Sequence, residues 1–286
     1  MDDAQEPDGP ARPPLDLEQL RTRLLHPGGL WRDLSLTAES ASTNTELLEA
    51  ARAGAPTGTV LVTEHQTRGR GRRDRAFHTP ARAALTLSLL LRPQVPPARL
   101  GWLPLLTGVA VVRAVQAQTS VASELKWPND VLAEDGGAWR KLAGILTEAV
   151  TTVDGTGIVV GTGLNVSQRR SELPAAEATS LTEAGTQPVD RQELLCAILD
   201  EFAGQYRNWN ELRGDAVACG LADSYRQRCR TLGMEVRAHL PGGATVSGTA
   251  TDIDPAGCLV IRTPQGNSTP LSAGDVVHVR PTTMGH

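Results

Sequence analysis

The stretch 67–75, TRGRGRRDR, sets five arginines and two glycines into nine positions of a chain whose formal net charge is −4. Arg70, Arg72 and Arg73 bring bidentate donors suited to phosphate or carboxylate. Gly69 and Gly71 permit a nest of backbone N–H groups aimed at an anion. The same pattern suits single-stranded nucleic acid, with guanidinium planes stacked on bases. On pattern alone the two readings stand level. Context favours the small anion, because the loop leaves a strand, no second basic block follows, and the acidic balance of the chain opposes a polyanion.

Of 28 basic residues only Lys126 and Lys141 are lysines. In a chain that otherwise uses arginine for positive charge, they are candidates for chemistry that a wide, planar guanidinium does not perform. Both have notable neighbours. In LKWPNDVL (125–132) Asn129 and Asp130 follow a proline-fixed corner, and an Asp beside a lysine can hold Mg²⁺ against a nucleotide phosphate. An Asx-turn that merely caps the corner is the plainer account. In RKLAGILTE (140–148) Lys141 opens a strand whose Ala143 and Gly144 leave room for something to lie against the backbone. GTGLNV (161–166) repeats that feature and adds Asn165, which can donate and accept. Ser42-Thr43-Asn44 lies where a strand meets a helix, and all three are favoured N-cap types.

The elements that must position these residues can be read from periodicity. LDLEQLRTRLL (15–25) has helical spacing and stops at Pro27-Gly28-Gly29. LSLTAES (34–40) alternates as a strand, and the helix after it has capping-box spacing at Thr43 and Glu46. TVLVTEHQ (59–66) is a strand feeding the arginine loop. AALTLSLLLRP (83–93) is another, with Leu85, Leu87, Leu89 and Leu91 on one face. Residues 98–118 suit a long buried helix bent or started near Pro104. KLAGILTEAVTTV and TGIVVGTGLNV flank Asp154-Gly155 as a hairpin. An amphipathic helix spans 190–213, and a further one about 215–230. Past Gly233 short strands broken by Gly, Pro and Asp read as a small β-barrel. The fold class is α+β: a mixed, mostly antiparallel sheet with flanking helices, then a small C-terminal β domain. The expected divisions are a disordered leader at 1–15, a catalytic domain at 16–230 and the β domain at 231–286.

Composition excludes some classes. No apolar run approaches the roughly 20 residues of a membrane helix, and the acidic, proline-rich start is unlike a signal peptide; a cytoplasmic protein is expected. The four cysteines show no CxxC spacing and read as buried thiols. The six histidines form no metal-ligand spacing.

Taken in order, STN, EHQxxGRGRR, KWPND, KLAGIL and GxGxNV resemble the biotin–protein ligase family, over about residues 32–280. Both lysines fall within these motifs. The resemblance implies a class II synthetase-like catalytic domain with an SH3-like C-terminal barrel, in a short form without an N-terminal DNA-binding domain. It implies two reactions, with biotin and ATP as substrates and Mg²⁺ accompanying ATP. The biotin carboxylate attacks the α-phosphate to give biotinyl-5′-AMP, which then acylates one lysine of a biotin carboxyl carrier domain. It gives Lys141, Arg72 and Asp130 catalytic roles, with Asp130 on Mg²⁺. Ser42, Thr43, Asn44, Gln66, Arg70, Gly71, Arg72 and Lys141 would bind biotin. Arg70, Arg72, Asn129, Asp130, Lys141 and Asn165 would bind the nucleotide. A monomer or weak homodimer, with neither nucleic acid nor membrane as partner, completes the expectation. The alternatives are a lipoate or octanoate ligase of the same architecture, a biotin-responsive repressor and a nucleic-acid-binding adaptor. Three features depart from the family: Asp74 inside the basic loop, Phe77 where tryptophan is common, and a long spacer between Asp130 and Lys141 that a hairpin tip at Asp135-Gly136-Gly137 could absorb.

Overall fold

The computed structural model describes residues 12–72, 76–153, 155–186, 188–239, 245–272 and 275–278. Most of the leader, Asp154, and Arg73, Asp74 and Arg75 of the basic loop lie outside these residues. In chain order the elements are α1 (Leu17–Leu24), β1 (Asp33–Thr37), α2 (Thr43–Arg52), β2 (Thr59–Thr63), β3 (Gly69–Arg70), β4 (Ala76–Phe77), β5 (Ala84–Leu91), α3 (Trp102–Gln118), β6 (Ser123–Lys126) and β7 (Asp130–Asp135). They continue with β8 (Ala138–Thr152), β9 (Gly155–Asn165), α4 (Arg191–Glu211), α5 (Leu221–Arg226), β10 (Glu235–His239), β11 (Thr245–Ile253), β12 (Leu259–Arg262), β13 (Ser268–Leu271) and β14 (Asp275–His278).

A seven-stranded sheet runs β1-β2-β5-β9-β8-β7-β6. Its β1–β2 pairing is parallel and its other pairings are antiparallel, as expected of a mixed, mostly antiparallel sheet. Strand β5 is buried along its whole length, and strand alternation divides its work. Leu85, Leu87, Leu89 and Leu91 join the large core with α3 and α4, whereas Leu90 packs with Leu47, Leu48 and Ala51 of α2. Thr86 and Ser88 share that second face, and both are buried.

Helix α3 packs between the sheet and α4, with 12 of its residues buried. Taken with the turn before it, Pro97–Gln118 is 22 residues long and holds an 18-residue stretch of mean hydropathy 1.4, long and apolar enough to cross a membrane. This corrects the reading that no run approaches that length. The segment is apolar on most of its surface because protein encloses most of it, 67% of that stretch being buried. Pro104 sits in its first turn, where no intrahelical N–H bond is lost.

Two helix readings are corrected. The N-cap of α2 is Ser42, whose extended backbone and side chain, accepting from the Thr45 N–H, fit that position; Thr43 is the first helical residue, and Glu46 takes the Ser40 hydroxyl instead. The helix expected over 215–230 is only the six residues of α5, flanked by turns that carry Cys229-Arg230 back beside Leu125. The four thiols are free, but only Cys196 and Cys229 are buried.

The C-terminal strands form an antiparallel sheet in the order β13-β12-β11-β10-β14, the small β unit expected from the sequence. Its inner residues, including Val236, Ala250, Ile253 and Ile261, are continuous with the main core. Arg226 of α5 pairs with Asp252 at 2.7 Å, and one turn carries much of the rest of the joint. Arg99 and the Trp102 indole both donate to the Pro255 carbonyl, at 2.7 and 3.1 Å, and the Trp127 indole donates to that of Gly257 at 3.0 Å.

Candidate active site

A cavity of about 500 Å³ opens on the face of the sheet next to α2. Ser42, Thr43, Asn44, Gln66, Arg70, Gly71, Arg72, Asn129, Asp130, Lys141 and Asn165 all line it, together with Lys126. The five motifs, whose lining residues lie up to 123 positions apart in the sequence, therefore meet at one place.

One end is a buried polar network. Gln66 Oε1 accepts from the Thr43 N–H at 2.9 Å and faces the Thr43 hydroxyl at 3.3 Å. Ser88 Oγ stands 2.7 Å from Thr43 Oγ1 and 2.6 Å from Asn44 Oδ1. Asn44 Nδ2 donates to Glu148 at 2.8 Å and to the Leu146 carbonyl at 3.2 Å. Ser88 and Glu148 were missed from sequence. The signal for Ser88 was a hydroxyl in an otherwise apolar strand, buried polar groups being partnered as a rule; that for Glu148 was its place ending the Lys141 motif.

The other end carries charge. Lys141 Nζ lies 2.6 Å from Asp130 Oδ1, with the lysine side chain 43% and the aspartate 23% exposed. The two meet because β7 and β8 pair with a slip in register between Val131 and Leu132. Such a bulge re-aims side chains, and Lys141 folds over Gly144, where a Cβ would stand 3.1 Å from Nζ. Lys141 thus lies inside β8 rather than opening it. Across from it Arg72 NH1 reaches Asn129 Oδ1 at 3.4 Å, while Asn129 Nδ2 is held by the Ile145 carbonyl at 2.8 Å. The turn from β6 to β7 that carries Asn129 contains a cis Trp127–Pro128 peptide.

Other residues are engaged elsewhere. Arg70 does not turn toward the charged end; it donates to Thr45 Oγ1 at 3.1 Å and pairs with Glu148 at 3.2 Å. Asn165 spends both ends of its amide inside the protein, donating to the Thr179 carbonyl at 2.8 Å and accepting from Gln168 at 2.9 Å. Trp127 is 2% exposed and belongs to the core. The glycines serve close approach within the chain. A Cβ at Gly161 would stand 2.1 Å from Asn44 Oδ1, one at Gly163 2.6 Å from the Phe77 ring, and one at Gly69 2.2 Å from the Phe77 carbonyl. Gly69 is accordingly an extended strand residue and not a left-handed member of a nest.

Among the described residues no group of three or more His, Cys, Asp or Glu side chains is arranged to hold a metal ion. The site fits Mg²⁺ carried by phosphate oxygens, which needs one protein carboxylate, and does not form a protein cage.

Comparison with known proteins agrees with this geometry. The Biotin/lipoate A/B protein ligase family matches residues 37–165, and the Biotin protein ligase C terminal domain matches 231–279. The chain is 42% identical over 274 residues to a biotin–[acetyl-CoA-carboxylase] ligase of Mycobacterium tuberculosis, covering 94% of this chain and 97% of that protein. It is 34% identical to the bifunctional ligase/repressor BirA of Bacillus subtilis, covering 79% of this chain and 68% of that one. The biotin protein ligase of Aquifex aeolicus, solved with biotin and ATP, superposes with a TM-score of 0.71 at 29% identity, covering 87% of this chain and all of that one. Similarity that spans nearly the whole of a relative, and a cavity that draws the motifs together, place the chain in the biotin protein ligase family.

Proposed function

We propose that the chain activates biotin with ATP and transfers it to a lysine of a biotin carboxyl carrier domain. The observation that carries this reading is the cavity itself, with a neutral hydrogen-bonding end and a cationic end built around Lys141. The hydroxyls and amides of Ser42, Thr43, Asn44 and Gln66, with Thr43 and Asn44 braced from behind by Ser88, suit a small polar ring system. The Lys141–Asp130 end suits two anions that must be brought together.

Attack of the biotin carboxylate on the α-phosphate forms one P–O bond, breaks the α–β anhydride and releases pyrophosphate. Repulsion between the anions is the main obstacle, and fixed cations lower it. Lys141 and Asp130, 2.6 Å apart, neutralise each other. Substrate binding exchanges these partners: the ammonium turns to the carboxylate and α-phosphate, and Asp130 is released toward the nucleotide. Bound Mg²⁺ would supply further charge neutralisation on the phosphates, with Asp130 as its protein ligand. Arg72 holds the acyl phosphate, and Asn129, fixed by Ile145, keeps Arg72 in reach. In the second step an uncharged carrier amine attacks the acyl carbon and AMP leaves. Arg70 and Gly71 would line the biotin side of this arrangement, and Asn165 the nucleotide side.

The test is ATP-dependent transfer of labelled biotin to a purified carrier domain, with lipoate as competitor. Transfer of biotin unaffected by lipoate is the expected outcome; transfer of lipoate in its place would overturn the reading. The acetyl-CoA carboxylase named in the mycobacterial relative suggests the first carrier to try.

A further inference from the structure

The tip of the β7–β8 hairpin and the loop 170–179 are fastened together beside Lys141. Asp135 Oδ2, on a side chain 11% exposed, pairs with Arg170, accepts from Thr179 Oγ1 at 2.8 Å and lies 3.5 Å from Arg140 Nε. Both guanidiniums also hold the loop's backbone: Arg170 donates to the Ala178 carbonyl at 3.0 Å, and Arg140 to that of Ala176. Two backbone bonds complete the joint, from the Lys141 N–H to the Glu177 carbonyl at 2.7 Å and from the Thr179 N–H to the Lys141 carbonyl at 2.8 Å.

The fastened loop is a wall of the cavity, contributing Pro174, Ala175, Glu177 and Ala178. Residues 174–177 are themselves exposed, so the segment has little apolar burial to fix its position. Its place depends on the polar joint at Asp135. Burial opposes ionisation of that carboxyl, but the hydrogen bonds from Arg170 and Thr179 and the charges of Arg170 and Arg140 outweigh it and hold the pKa below the ordinary value of 3.8. The charge that gathers the two arginines is thus present at neutral pH.

We propose that Asp135 is a positioning residue that sets the loop 174–178 against Lys141 as a wall of the nucleotide half of the cavity. This rests on the ligase reading and gives the long spacer before Lys141 a purpose: it carries the clamp.

Asp135→Asn keeps the size and the acceptor for Thr179 while removing the charge. Affinity for a non-hydrolysable ATP analogue, measured by calorimetry, should fall roughly tenfold, with a matching rise in the KM for ATP. Biotin affinity without nucleotide and kcat should stay unchanged, and amide exchange at Thr179 should quicken. Asp135→Glu should recover part of the loss. Analogue affinity and ATP KM within about twofold of the parent would overturn the proposal. An equal fall in biotin affinity would overturn it too, by making Asp135 a general strut. Analogue binding needs no turnover, so a parent chain that binds nucleotide but never adenylates biotin would refute the ligase reading and leave the clamp open to this same test.

Discussion

In the proposed reaction Lys141 and Asp130 are placeholders for the charges that substrates bring. A lysine held 2.6 Å from a carboxylate can be released to another anion at little cost, because the pair is half-open to water and such pairs contribute modestly. The compact ammonium is what the exchange requires, since it must sit between two oxygens of different groups. Lys141→Ala should slow biotin-dependent pyrophosphate exchange by about 10²–10³, and Lys141→Arg should rescue it poorly; near-normal exchange in the arginine variant would remove Lys141 from the chemistry. Arg72 should behave differently. Its proposed hold on the acyl phosphate is a matter of retention, so on that reading Arg72→Gly should loosen the adenylate by about 1.5–3 kcal/mol. The measurable sign is biotin appearing on lysines of bystander proteins, and labelling confined to the carrier would count against the role.

At the scale of elements, the end of β2 is anchored by a charge pair. Glu64 receives the Leu15 N–H at 2.6 Å and Arg191 NH1 at 2.8 Å, while Arg191 NH2 reaches the Pro13 carbonyl at 2.6 Å. Both side chains are almost fully buried, so one removed alone leaves an uncompensated charge. Arg191→Ala should cost about 3–5 kcal/mol in urea unfolding, and a loss near zero would show that water reaches Glu64. None of this was legible in the sequence, where Glu64 fell within the strand read over 59–66 and Arg191 within the helix read over 190–213, with no sign that they met. What was legible had a local cause. The alternating leucines of β5, the apolar stripe of α4 and the glycine-rich tip at Asp135-Gly136-Gly137 each announce their geometry within a few residues. The motifs told which residues gather, but not how they pair. The Arg70–Glu148 and Lys141–Asp130 contacts depend on strand register, and one bulge at β7–β8 decides where Lys141 points. Glycines at 161 and 163 looked like space for a ligand because the side chains that occupy it, Asn44 and Phe77, come from far along the chain.

Across the whole molecule, both ends of the described part of the chain are tied into the catalytic body. At the start, Arg12 pairs with Glu172 at 2.6 Å and donates to the Ser167 carbonyl at 2.9 Å. The Arg12 hydrogen bond leads the effects that hold the Glu172 carboxyl below its ordinary value of 4.5, against burial. A depressed carboxyl adds stability that is complete above the unfolded-state pKa and drains away as pH falls through the folded one. Glu172→Gln should therefore flatten the acid limb of a melting-temperature profile below about pH 4.5, and an unchanged limb would place the acid sensitivity elsewhere. At the far end, Arg99, Trp102 and Trp127 all address carbonyl oxygens of a single turn, and a Cβ at Gly257 would stand 2.9 Å from the backbone of Gly101. Contacts made to main-chain atoms are blind to most side-chain identities but strict about spacing, while the Arg226–Asp252 pair beside them asks for a particular C-terminal side chain. C-terminal segments borrowed from distant relatives should be accepted when their turn keeps its length and its glycine, whereas a single inserted residue would misalign both acceptors. The unit is interchangeable by measure, much as parts cut to a common gauge are.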